Sequence, residues 1–154
     1  MKARFVTKAA LSALVLAFAG TLPGVAQQTA APAVDSVKAS AVEKVFIVKM
    51  ADIVQAGLKA GALDVKAVSG VLNEAVKADV SDRVMGAMVS MAAGAFPSSA
   101  PAVASAAVRS YGSNIREGHV RNVIASAVSS QSNPYASVAP ISEAVEKVLG
   151  NSPV

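Results

Sequence analysis

Arg109, Tyr111, Arg116, His119 and Arg121 fall within thirteen residues and hold most of the side-chain chemistry that this 154-residue chain gathers in one place. Guanidinium groups beside a helix start can hold a carboxylate, a phosphate or a sulfated sugar. Their planar N–H forks pair two oxygens at once, and first-turn amides add further donors. Asn114, followed three residues later by Glu117, has the pattern of a capping box, so the segment reads as a helix N-terminus flanked by arginines. The N-terminal half of the helical region uses Lys, whereas this stretch uses Arg, the better residue for bidentate contact. A plainer alternative stands beside that reading: Glu117 pairs with Arg121 at i,i+4, and the other charges are solvated.

Other chemistries find no support in the residue types. His119 is the only histidine, no cysteine is present, and no cluster of Asp or Glu with ligand spacing accompanies it, so no metal site is expected. Serine is abundant, yet no Gly-x-Ser-x-Gly elbow occurs, and a single histidine is the only available base. Gly86 and Gly94 lie in a helical pattern with no preceding strand, which argues against a phosphate loop. Asp79 and Asp82, and again Glu143 and Glu146, sit where acids favour helix starts through the backbone dipole. The expectation is a non-catalytic chain with no cofactor.

The stretch Val84 to Phe96 (VMGAMVSMAAGAF) carries no charge and three methionines. Thirteen residues are too few to span a bilayer, and the segment lacks the basic polar face of an interfacial helix. It reads as the central, most buried helix.

The N-terminus has a different character. Lys2, Arg4 and Lys8 precede an apolar run from Ala9 to Ala19, and small residues at Gly24 and Ala26 suit a signal peptidase. Residues 1–26 therefore read as a bacterial-type signal peptide cleaved after Ala26, placing the product in the periplasm or outside the cell. No stable membrane span is expected after cleavage. Three of the 14 basic residues lie in that leader, which leaves 11 basic against 10 acidic side chains. The sequence pI of about 9.6 is thus largely an export feature and gives no support to nucleic-acid binding. With no cysteine, stability in an oxidising compartment must come from packing.

The elements that must position these residues follow from a recurring hexad: apolar, two free positions, small or polar, small, then Val or Leu. Copies start at Val37, Ile53, Val71, Val84, Val103 and Val123, with a degenerate seventh at Pro140. Starts lie 13 to 20 residues apart, the length of one helix plus a short turn. The spacing predicts an all-α fold: a small array or bundle of about six short antiparallel helices, built from single-helix repeats in the manner of an α-solenoid. A chain so rich in Ala and Val will also match a loose hexad by composition, which would leave an irregular helical bundle. The small fifth position (Ala41, Gly57, Ala75, Ala107, Ala127, Ala144, with Met88 the large exception) should lie at helix crossings.

Residues 27–34 read as a flexible leader, 35–150 as one helical domain and 151–154 as a tail. Asp35 or Ser36 should cap the first helix, with Gly57 and Gly61 loosening its end, and Asp64 should cap the second. Asp79 or Ser81 should start the third, which runs from Arg83 to Phe96. The fourth should span Ala100 to Ser110 and close at Gly112. Asn114 should cap the fifth, Ser129 to Ser137 forms a polar interruption, and Pro140 should sit in the first turn of the last, which ends at Gly150. The functional expectation is an exported helical-repeat protein acting as an interaction, scaffold or envelope component, its partner a protein or a second copy of itself. The alternatives are a periplasmic ligand-binding or chaperone-like module holding a peptide or small anion between helices, and a membrane-active protein.

Overall fold

The computed structural model describes residues 39–150. The signal peptide, the leader at 27–34, the tail at 151–154, the cap sought at Asp35 or Ser36 and the start of the first hexad lie outside them. Six helices account for most of the described residues: α1 (Ala41–Ala60), α2 (Val65–Lys77), α3 (Asp82–Ala95), α4 (Ala100–Tyr111), α5 (Glu117–Ser129) and α6 (Pro134–Gly150). No strand occurs among them. The fold is all-α, a small helical bundle, and each helix carries one of the last six hexads.

Local chemistry sets the boundaries. Ser40 and Glu43 form a reciprocal capping box at α1, with bonds of 2.8 and 3.2 Å that satisfy two orphan amides. Asp64 caps α2 by accepting the Ala67 N–H at 3.0 Å. The first helix runs through Gly57 and ends at Gly61, whose φ of +76° is the left-handed conformation that glycine adopts without strain.

Ser81 starts α3 as expected, although its hydroxyl donates to Glu43 on α1 and gives its own helix no side-chain cap. Two boundaries differ from expectation. Asn114 does not cap α5: Gly112–Asn114 forms a 3-10 turn, Ile115 is extended, and the N-cap falls at Arg116. Pro140 lies inside α6, which begins six residues earlier at Pro134; Asn133 caps it by accepting the Ala136 N–H at 3.2 Å. Pro134 occupies the first helical position, where its missing N–H costs nothing.

Packing follows an every-second-helix rule. The most extensive contacts join α3 to α5, α4 to α6, α2 to α4 and α1 to α3, so the helices form two rows, α1–α3–α5 and α2–α4–α6. Neighbours in sequence bridge the rows. This is the layering of a stacked helical array.

The hexad's first position is buried in α2 to α5 (Val71, Val84, Val103, Val123). In α1 and α6 the pattern slips by one, and Val54 and Ile141 enter the core. Ala75, Met88, Ala107 and Ala127 are fully buried at the fifth position. Met50, Leu72, Met85, Met88 and Ile141 are the largest fully buried side chains, each contributing about 2–3 kcal/mol of transfer free energy.

The uncharged stretch forms α3 and is buried along Val84, Met85, Met88, Val89, Ala92 and Ala93, but α4 is buried as continuously and shares the centre. The closest approach of α3 to α5 uses a different register from the fifth position. Gly86, Ser90 and Gly94 repeat every four residues on α3 against Asn122, Ser126 and Ser130. A Cβ added at Gly86 would lie 2.7 Å from Ser126 Oγ, so glycine is what lets these helices close together. The Ser90 hydroxyl donates to the Ser126 carbonyl at 2.9 Å, and the Gln131 amide donates to the Ala93 carbonyl at 3.1 Å. Among the described residues, no helix is long and apolar enough to cross a membrane.

Candidate functional site

Two of the five residues singled out in the sequence come together, and three do not join them. Tyr111 ends α4 and His119 lies in the first turn of α5; their rings stack with centroids 4.1 Å apart and planes 13° from parallel. Both turn to Asp82, the first residue of α3. The Tyr111 hydroxyl donates to Asp82 Oδ1 at 3.1 Å, and His119 Nε2 lies 3.6 Å from the same oxygen. His119 Nδ1 accepts the Arg116 N–H at 3.2 Å, so the neutral ring carries its proton on Nε2, facing the carboxylate. The Asn122 side chain donates to the Asp82 carbonyl at 2.6 Å. Three helix ends are thereby tied at one acidic residue.

The electrostatics of the clasp hold Tyr111 in its neutral form. Burial first, then the Asp82 charge and the hydrogen bond to it, push its ionisation far above the ordinary tyrosine range. The phenol is a donor here, not a nucleophile. Among the described residues, the His119–Asp82 pair has no serine or threonine hydroxyl bonded to the ring. Among the described residues, no group of three His, Cys, Asp or Glu side chains converges to hold a metal ion.

The three arginines part company. Arg121 pairs with Glu117 on the exposed face of α5, the i,i+4 contact weighed from the sequence. Arg116 is exposed at the α5 N-cap position. Arg109 projects from α4 toward α2, where it lines a groove with Lys66.

Sequence reasoning took Asp82 for a helix-start acid only. It sits at that position, and nothing local announces that residues 29 and more positions away close on it. Asn122, which the sequence does not single out, reaches the Asp82 carbonyl only through the packing of α5 on α3.

A second polar link joins α1 to α3. Glu43 accepts both the N–H (3.1 Å) and the hydroxyl of Ser81 while serving its own cap. These bonds, the Ser81 hydroxyl foremost, hold its carboxyl down at about 2.

Fold and site together define an all-α stacked array with structural polar clasps at its helix ends. In comparisons with family models, curated proteins and solved structures, none matches this chain.

Proposed function

We propose that this chain is an exported, non-catalytic helical array that acts as a scaffold, assembling with further copies of itself through its terminal helices. One observation carries the reading. Among the described residues, every exposed large apolar side chain lies on α1 or α6: Val42, Val45, Val48 and Leu58 on the first, Tyr135, Val138 and Leu149 on the last. The four helices between them have none. Tyr135 is 93% exposed, the most open of the seven.

The placement fits stacking. Val45 and Val48 lie on the side of α1 away from its core stripe of Phe46, Met50, Val54 and Gly57. Tyr135, Val138 and Leu149 recur with Ser142 at intervals of three, four and seven, a seam flanking the core residues Ile141, Val145 and Val148. Each row has two ends, α1 and α5 in one and α2 and α6 in the other, and of these four helices only α1 and α6 carry exposed large apolar side chains among the described residues. Charge favours a head-to-tail contact: α1 carries Lys44, Lys49 and Lys59 against Glu43 and Asp52, whereas α6 carries Glu143 and Glu146 against Lys147. Net opposite signs on the two end helices suit α1 of one copy against α6 of the next.

Export rests on the basic, apolar and small-residue pattern of residues 1–26. Intact mass measurement of the protein recovered from the producing bacterium tests it. The reading expects a chain beginning at Gln27 in the periplasm or medium; an uncleaved chain in the cytoplasm would refute it. The absence of catalysis rests on the clasp chemistry, in which Tyr111 and His119 are occupied in joining helices.

A further inference from the structure

Arg109, which the sequence groups with the Tyr111 and His119 segment, faces elsewhere in the fold, and its new neighbours form a site of their own. A groove of about 470 Å³ runs between α2 and α4, lined by Lys66 and Ser69 from one helix and Ala102, Ser105, Ala106 and Arg109 from the other, with Val65 at its end. The groove is open to solvent, with Lys66, Ala102 and Arg109 exposed and Ser105 and Ala106 buried at its floor. The geometry points to this groove as a binding site for a small carboxylate with a short apolar body.

The donor set decides the ligand's sign. Lys66 and Arg109 bring two cationic heads to the groove, and neither has an ion-pair partner among the described residues. The acid nearest in sequence, Asp64, is engaged at the α2 cap through Ala67. Ser69 offers a hydroxyl with no hydrogen-bond partner among the described residues, whereas Ser105 spends its proton on the Ala144 carbonyl at 3.0 Å. An anion therefore meets two cations and the Ser69 hydroxyl. A guanidinium fork matches the two coplanar oxygens of a carboxylate, while the ammonium adds a point charge. The methyl groups of Ala102 and Ala106 and the Val65 side chain give an apolar surface for the rest of the ligand. None of these residues belongs to the exposed apolar ends on α1 and α6, so the site stands or falls apart from self-assembly.

The test is an amide-shift titration of the purified protein by NMR with butyrate, with inorganic phosphate as a parallel arm, at low ionic strength. Expected are saturable shifts at Ser69, Ala102 and Ala106, with butyrate binding more tightly than phosphate. Lys66→Gln combined with Arg109→Gln should weaken binding at least tenfold, Arg109→Lys should fall between, and Arg121→Gln should leave it unchanged. Circular dichroism of each variant confirms that these exposed substitutions leave the helices intact. Shifts that never saturate, that spread equally to Arg116 and Arg121, or that survive the double substitution would overturn the site. Tighter binding of phosphate would overturn the carboxylate assignment.

Discussion

Substituting Gly86 by alanine gives the most direct reading of how closely α3 and α5 approach. An alanine in a helix interior is favoured over glycine by about 1 kcal/mol when its methyl group meets open space. At Gly70, on the exposed side of α2, the added Cβ has nothing within 4 Å, so Gly70→Ala should stabilise the protein by about 0.5–1 kcal/mol. At Gly86 the same atom would lie 2.7 Å from Ser126 Oγ, and 3.1 and 3.2 Å from the Asn122 amide. Overpacking of this kind costs about 1–3 kcal/mol, which cancels or exceeds the gain. Thermal denaturation followed by circular dichroism should therefore separate the two variants by about 1–3 kcal/mol, or roughly 4 °C per kcal/mol for a domain of this size. Ser126→Ala removes the clashing oxygen while leaving the Ser90 bond to the Ser126 carbonyl in place. The Gly86→Ala/Ser126→Ala pair should thus recover part of the loss, a coupling visible in a double-mutant cycle. Equal stabilisation by Gly86→Ala and Gly70→Ala would refute the close crossing.

Further predictions concern the polar links. Glu43 has its carboxyl depressed to about 2, so its contribution to stability is complete above the ordinary value of 4.5 and is lost as pH falls toward 2. Glu43→Gln should remove that part of the acid dependence in pH-resolved melting curves, and an unchanged profile would argue against the link to Ser81. Tyr111 has the opposite sense: its raised ionisation favours the neutral folded form, so stability present below pH 10 should fall as pH rises above it. In a Tyr135→Phe background Tyr111 is the sole tyrosine, and its absorbance at 295 nm should titrate only with alkaline unfolding; ionisation of the folded protein near pH 10 would contradict the buried bond to Asp82. Asp82→Ala leaves the Tyr111 hydroxyl without its acceptor and removes the carboxylate beside His119, at a cost of about 1–3 kcal/mol in chemical denaturation, and an unchanged stability would argue against the clasp.

Much of the fold was legible because its signals are local. A cap such as Asp64, a left-handed glycine such as Gly61 and an apolar residue every three or four positions act within one or two turns of the chain, and these placed α2, α4 and the end of α1 closely. Local signals misled where two of them competed. Asn114 and Glu117 have the spacing of a capping box, yet Gly112 adopts a φ of +52° and turns the chain through a 3-10 segment that carries Asn114 away from the helix start. Pro140 resembles a first-turn proline, but Asn133 and Pro134 supply a stronger start upstream, and α6 runs on through it.

The site was legible only in part, because its contacts join residues on different helices. His119 meeting Tyr111 required the α4–α5 turn to fold back. Arg109 and Lys66 lining one groove required α2 and α4 to be row neighbours, which the hexad does not specify. The hexad itself marks which face is buried without naming the helix that covers it. Gly86 and Gly94 read from the sequence only as helical glycines without a preceding strand; the Asn122, Ser126 and Ser130 that lie against them come from another helix.

Self-assembly through the ends of the array is the central functional claim, and sedimentation velocity tests it with two variants. Val45→Glu/Val48→Glu changes the α1 end, and Tyr135→Ser/Val138→Glu changes the α6 end; all four positions are exposed, so folding should survive. The account predicts that the unaltered protein grows in mass with concentration and that each variant alone remains a monomer. Mixing the two variants should produce heterodimers, because one intact α1 end then meets one intact α6 end. An unaltered protein that stays monomeric at every concentration, or association indifferent to both pairs of substitutions, would contradict it.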